Sequence, residues 1–229
     1  MISIIVPVLD EERVLPGLLE SLRLLAAPED SDAEILVVDG GSTDATRGIL
    51  RAADGVRLVE AERGRGAQIQ AGADAADGDL LLVVHADAQL PRNALRLICA
   101  AAADGASWGW FDIAYDDRSP AMRLISRYLN THAWLLSEPT GENAIWATRE
   151  AWDTAGGCPE LPLMEDLELT RRLRRGGRGT RLAGPVVCSA RRYRAWTPVG
   201  MSLRCILLWL LFHLGATPET LSHFYPRVR

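Results

Sequence analysis

The sequence contains no lysine, so all 25 of its basic residues are arginine. This absence excludes chemistry that needs a lysine amine, such as Schiff-base catalysis or the phosphate-binding lysine of a P-loop. Every cation apart from histidine and the N-terminus is therefore a guanidinium, which suits forked recognition of phosphate. The net charge of −5 argues against a dedicated nucleic-acid binder.

Cysteine is scarce and long apolar runs are absent. The four cysteines form no C-x-x-C pair, which favours reduced thiols over a disulfide framework or a structural zinc site. The N-terminus lacks the basic region of a signal peptide. The longest apolar run, residues 205–214, is shorter than the roughly 20 residues that a membrane span needs. We therefore expect a cytoplasmic protein with a packed C-terminal helix, and peripheral membrane contact through residues 201–214 is the alternative for that segment.

Apolar runs that do not alternate with polar residues lie at 2–8, 34–38 and 79–84, with a weaker one at 56–59. Such runs are typical of parallel strands covered on both faces. Helical patterns separate them, for example the leucines at 15, 18, 19, 22 and 25. The alternation predicts an α/β fold with a Rossmann-like, mostly parallel central sheet flanked by helices.

A length of 229 residues fits one domain. Neither a linker nor an internal repeat divides the chain. We therefore predict a single domain over residues 1–229. Its parts are a nucleotide-binding half at 1–104, an acceptor half at 105–195 and a C-terminal helical extension at 196–229.

Acidic clusters follow three of the predicted strands. Asp10 and Glu11 follow the first strand, Asp39 the second, and His85 and Asp87 the third. Ligands of parallel sheets bind at the carboxyl ends of strands, so these groups are candidates for one shared site. The competing interpretation is that each carboxylate caps the next helix. Three clusters at one edge of the sheet favour a ligand-binding site, because carboxylates that lie close together repel each other unless a cation or sugar hydroxyls bind between them.

Four segments resemble family 2 glycosyltransferases, which have the GT-A fold. They are residues 4–11, 37–44, 84–87 and 164–166, in the expected order and with the expected gaps, and the resemblance covers roughly residues 2–195. The sequences His-Ala-Asp at 85–87 and Pro-Leu-Met-Glu-Asp at 162–166 are similar to a subgroup of short, soluble bacterial members. The resemblance implies sugar transfer from a nucleotide-diphosphate sugar to an acceptor, here unidentified, with inversion.

The resemblance also assigns donor-binding roles. It places Pro7, Asp10 and Glu11 beside the nucleoside, and Asp39 as acceptor of a base N–H, which favours a UDP-sugar. Gly41 lies in a turn whose glycines permit positive φ and close ligand approach. Arg65 opens a helix beside the nucleotide, and Arg192 follows the predicted strand at 186–189. We expect both arginines to contact the diphosphate, although a solvated charged turn is the alternative for Arg65.

The metal and catalytic groups are implied in the same way. Asp87 matches the last carboxylate of the family's D-x-D metal motif, and His85 replaces the first, so the pair is expected to bind Mn²⁺ or Mg²⁺ with the diphosphate. A buried, hydrogen-bonded histidine is the alternative for His85. Asp166 is expected to be the general base, while Glu142 and Glu165 are acceptor-side candidates. The departures at His85 and Ala88 keep a noncatalytic nucleotide-sugar binder open, and a nucleotidyltransferase is the other alternative.

Overall fold

The computed structural model describes residues 1–26 and 32–225. Its strands are β1 Ile2–Val8, β2 Ala33–Asp39, β3 Arg57–Glu60, β4 Leu80–Val83, β5 Ala88–Gln89, β6 Trp108–Tyr115, β7 Trp146–Thr148 and β8 Thr180–Cys188. Its α-helices are α1 Leu15–Ala26, α2 Thr46–Arg51, α3 Arg65–Ala75, α4 Ala94–Ala103, α5 Pro120–Leu136, α6 Arg149–Thr154, α7 Glu165–Leu173, α8 Arg191–Ala195, α9 Pro198–His213 and α10 Pro218–Ser222. The strand–helix alternation predicted from the sequence is confirmed.

The strands form one sheet in the order β3-β2-β1-β4-β7-β6-β8-β5. β1 lies between β2 and β4 and is parallel to both, and β2 is parallel to β3. β7 enters antiparallel between β4 and β6, and β5 is antiparallel to β8. The first half of the sheet is therefore wholly parallel, and the antiparallel pairs all involve strands from β4 onward.

Both faces of the sheet are covered, as the continuous apolar runs predict. Ile4 and Val6 of β1 face the core formed with α1, α2 and α4. Ile5 points the other way and packs in the core that contains side chains of α3, α6 and α7. Because successive residues of a strand point to opposite faces, a strand buried on both faces needs apolar residues at every position.

The loops before two elements fix where those elements begin. α2 begins at Thr46, because residues 42–44 bond to the loop that follows β1. β7 begins at Trp146, because Gly141–Asn143 form a 3₁₀ turn. Among the described residues, no helix is both long and apolar enough to cross a membrane.

Candidate active site

The loop after β2 is built around the carboxylate of Asp39. This side chain is 1% exposed and accepts hydrogen bonds from the backbone N–H groups of Ser42, at 3.1 Å, and Gly41, at 3.2 Å. Gly41 has the positive φ, +86°, that the turn was predicted to need. Arg47 Nε lies 3.5 Å from the same carboxylate. Asp39 is therefore held in one orientation by its own turn, and these bonds do not cap the next helix, α2, which begins at Thr46.

The loops after β1 and β2 are joined by hydrogen bonds. Asp10 has a φ of +54°; its backbone N–H donates to Ser42 Oγ, and its carboxylate accepts from the Thr43 N–H at 2.8 Å. The Glu11 N–H donates to Thr46 Oγ1 at 2.9 Å. Pro7 lies within β1, opposite Val38 of β2. The predicted nucleoside-binding residues thus form one continuous rim at the carboxyl ends of two adjacent strands.

Arg191 connects this rim to the end of β4. Its two terminal nitrogens donate to the Glu11 carboxylate at 2.9 and 3.1 Å, and its Nε lies 3.2 Å from Asp87 Oδ2. A guanidinium between two carboxylates neutralises their mutual repulsion. The sequence indicated the segment 191–193, which follows a predicted strand, as one that could close over the diphosphate, but it did not indicate that Arg191 pairs with Glu11 and Asp87.

His85 is buried beside the same strand end. It is 9% exposed, and its Nε2 has no hydrogen-bond partner among the described residues. Burial, together with the charges of Arg65, Arg192 and Arg191, holds the pKa of His85 well below its usual value. The imidazole is therefore neutral at physiological pH and offers a lone pair on one ring nitrogen.

Asp166 lies in the first turn of α7, directly after Met164 and Glu165. Met164 takes a left-handed φ of +66° where the chain enters the helix. The Asp166 carboxylate accepts the N–H of Gly141 at 2.7 Å. A Cβ added to Gly141 would lie 2.5 Å from His85 Nε2, so this close approach requires glycine. The predicted base and the predicted metal-binding histidine therefore meet on either side of Gly141.

Arg65 and Glu165 form a buried ion pair. Glu165 is 1% exposed, and Arg65 Nε donates to its carboxylate. Burial raises the pKa of Glu165, while the charge of Arg65 lowers it. The pair joins the N-terminus of α3 to that of α7, across 100 positions of sequence. Glu165, a predicted acceptor-side residue, is thus paired with Arg65 and does not line the cavity that contains Asp166.

Arg192 and Glu142 form a second charged pair near His85. Arg192 donates to the Tyr225 hydroxyl at 2.8 Å, and its Nη1 lies 3.9 Å from a Glu142 oxygen. The Tyr115 hydroxyl donates to Glu142 at 2.7 Å. Burial raises the pKa of Glu142 despite these partners. No sequence motif indicated Tyr115 or Tyr225, because each reaches the site only through tertiary packing.

The predicted residues fall into two adjoining groups. One cavity is lined by Arg65, His85, Glu142, Asp166 and Arg192. The other predicted residues do not line that cavity: Asp39 and Gly41 lie in the loop after β2, and Glu11 contacts Asp87 through Arg191. The site is therefore a rim of carboxylates at the strand ends and a cavity lined by carboxylates, a neutral imidazole and guanidinium groups.

Solved structures share this architecture. The chain aligns to S. aureus TarS 1-349 in complex with UDP-GlcNAc with a TM-score of 0.65 and 18% identity, covering 82% of this chain and 58% of that one. It aligns to the mannosyltransferase PcManGT from Pyrobaculum calidifontis, in complex with GDP-Man and Mn2+, with a TM-score of 0.65 and 21% identity, covering 97% of this chain and 68% of that one. The fold is therefore of the GT-A type.

The family follows from the sequence match. Residues 3–158 match the profile described as Glycosyl transferase family 2, and the chain belongs to that family. It is 31% identical over 112 residues to the undecaprenyl-phosphate 4-deoxy-4-formamido-L-arabinose transferase of Aeromonas hydrophila, covering 46% of this chain and 34% of that protein. For the Sodalis glossinidius transferase of the same description, identity is 37% over 113 residues, covering 45% and 34%. The matched segment spans about a third of these relatives.

Proposed function

We propose that this chain transfers a sugar from a nucleotide-diphosphate donor to an acceptor oxygen, with inversion and with Asp166 as the general base. The observation that carries the proposal is the position of Asp166, whose carboxylate lines the same cavity as His85, Arg65 and Arg192. A single displacement needs a proton acceptor on one side of the anomeric carbon and charge stabilisation for the leaving diphosphate on the other.

The donor side rests on the arginines and on the nucleoside rim. The diphosphate would be bound by the guanidiniums of Arg65 and Arg192, with Arg191 released from Glu11 and Asp87 as a third contact. The Asp39 carboxylate, although it already accepts backbone hydrogen bonds, keeps lone pairs for a base N–H. Family membership and the UDP-GlcNAc and GDP-Man complexes of the structural relatives support a nucleotide-sugar donor, and we favour a UDP-sugar.

A divalent ion, Mn²⁺ or Mg²⁺, belongs to the proposal. The residues fit such an ion, because the neutral His85 presents an Nε2 without a partner among the described residues and Asp87 supplies a carboxylate. Residues 1–26 and 32–225 contain no group of three or more histidine, cysteine, aspartate or glutamate side chains that could hold a metal ion. Diphosphate oxygens would therefore complete the ligand set. When bound, the ion would supply charge neutralisation for the leaving diphosphate.

Peripheral membrane contact through residues 201–214 is also proposed. Leu203, Leu207 and Leu210 of α9 are 62%, 54% and 46% exposed, an unusual concentration of aliphatic surface on one helix. The names of the undecaprenyl-phosphate transferases include a lipid phosphate. Similarity to them supports contact of this chain with a membrane. The proposed cytoplasmic location is compatible with such contact.

The test compares Asp166→Asn with Glu168→Gln. Glu168 lies on the same helix, but its carboxylate pairs with Arg171 and Arg172 and does not line the cavity. Donor binding is measured as the thermal shift with UDP and Mn²⁺, and turnover as UDP release from a panel of UDP-sugars. Asp166→Asn should keep the UDP shift and lose about 10²–10⁴-fold in turnover, the usual contribution of a general base.

Glu168→Gln should retain both the UDP shift and turnover. Unchanged turnover in Asp166→Asn would remove the base assignment. A native chain that binds UDP and releases none from any sugar nucleotide would instead support a noncatalytic binder. Stabilisation by nucleoside triphosphates alone would support a nucleotidyltransferase.

A further inference from the structure

The cavity beside Asp166 has a volume of about 160 Å³ and is lined by residues of α5 and α9 and by Tyr225. Charged and polar groups line part of it, among them Arg65, His85, Glu138 and Asp166. Apolar side chains also line it: Leu129, Leu163, Met164, Met201, Ile206 and Leu208. A lining of both kinds suits a ligand that has a polar group and an apolar chain.

The cavity reaches the surface beside exposed apolar side chains. Tyr128 of α5 and Ile206 of α9 both line the cavity, and they are 46% and 40% exposed. Of the fifteen exposed large hydrophobic side chains among the described residues, ten lie on α5 and α9, which contact each other. Exposed apolar side chains concentrated on two neighbouring helices mark a contact site.

The two helices that carry this face are cationic. α9 contains Arg204 and no acidic residue, although the whole chain has a net charge of −5. The sequence of α5 also lacks acidic residues and carries Arg123 and Arg127. An apolar face flanked by guanidiniums is complementary to an anionic lipid surface, where each nearby basic residue adds to the attraction.

We propose that this cavity is the acceptor site and that the acceptor is a membrane-held amphiphile. Its reacting oxygen lies at Asp166, and its aliphatic chain passes between Tyr128 and Ile206 to the exposed face of α5 and α9, which rests on anionic lipid. The identity of the reacting oxygen rests on the proposed function. The apolar chain and the lipid surface rest only on the cavity lining, the exposed side chains and the arginines.

The first experiment measures binding of monomeric ethyl, butyl and octyl phosphate by calorimetry. Burial of each methylene in the cavity should tighten binding about fourfold, until the chain emerges at the mouth. Ile206→Glu, which places a charge at the mouth, should abolish this dependence on chain length. Leu207→Glu is the matched control, because Leu207 is the next residue of α9, is 54% exposed and does not line the cavity. It should keep the dependence.

The second experiment measures cosedimentation with vesicles of phosphatidylcholine, with and without phosphatidylglycerol. The native chain should bind the anionic vesicles, and Leu207→Glu should weaken that binding about tenfold or more, since a leucine is lost from the buried face. Urea midpoints of both variants should match the native chain, because both positions are exposed.

Affinity for alkyl phosphates that is independent of chain length, or that both variants reduce equally, would overturn the cavity assignment. Equal binding to neutral and anionic vesicles, or none to either, would overturn the lipid surface. Failure of the proposed function has a different signature: UDP and Mn²⁺ would give no thermal shift, while alkyl phosphates would still bind with a dependence on chain length.

Discussion

Replacing Arg65 by methionine leaves Glu165 buried without its cation. Glu165 is 1% exposed, so its carboxyl group should take up a proton in the folded state rather than remain charged. In the unfolded chain it ionises with a pKa near 4.5, so folding at pH 7 must reverse that ionisation at a cost of about 3 kcal/mol. The variant has a raised folded-state pKa, and stability is therefore lost as the pH rises.

Urea unfolding of Arg65→Met and of the native chain at pH 6 and pH 7 tests this reasoning. The difference in free energy of unfolding should be at most about 3 kcal/mol at pH 7, because the pKa of Glu165 is already raised in the native chain, and it should be smaller at pH 6. The double variant Arg65→Met/Glu165→Gln removes the buried ionisable group and should recover most of the loss at pH 7. A loss below about 1 kcal/mol at pH 7, or no recovery in the double variant, would refute the account of a buried pair.

Three further predictions concern the cavity. The pKa of His85 is lowered in the folded state, so as the pH falls the imidazole is protonated in the unfolded chain before it is protonated in the folded one. The free energy of unfolding should therefore fall by up to ~1.4 kcal/mol per pH unit below pH 6.5. His85→Gln should remove that part of the pH dependence in urea titrations. Because the pKa of Glu142 is raised, Glu142→Gln should increase stability relative to the native chain as the pH rises above 4.5, and equal pH profiles would contradict this. Gly141→Ala should cost about 1–3 kcal/mol, because its Cβ would lie 2.5 Å from His85 Nε2, whereas the control Gly48→Ala, with no atom within 4 Å, should be neutral or slightly stabilising.

The parallel half of the fold was predictable because its signals are local. The apolar runs that form β1, β2 and β4 are buried at nearly every position. A continuous apolar run predicts a strand covered on both faces whatever its neighbours in the sheet are. The insertion of β7 between β4 and β6 was not predictable, because three residues carry no information about their neighbours in a sheet. Pairing order is decided by packing at long sequence separation.

In the site, too, the features that were predictable are local in sequence and the others are not. The acidic clusters at the ends of β1, β2 and β4 follow from strand polarity, and the structure brings Glu11 and Asp87 to one arginine. The ion pair between Arg191 and Glu11 was not predictable, since the two residues lie 180 positions apart. Likewise, the ion pair that Arg65, a predicted diphosphate contact, forms with Glu165 was not predictable from the sequence. Such partners are selected by tertiary packing and leave no periodic signal.

The central claim is that the nucleoside rim and the Asp166 cavity bind one donor between them. The most direct measurement is a crystal structure of the chain with UDP and Mn²⁺. The account predicts a base at Asp39, a diphosphate in contact with Arg192, and an ion bound by His85 and Asp87, with the Asp166 carboxylate facing the end of the diphosphate. UDP bound away from this rim, or bound there with Asp166 separated from the diphosphate by protein atoms, would contradict it.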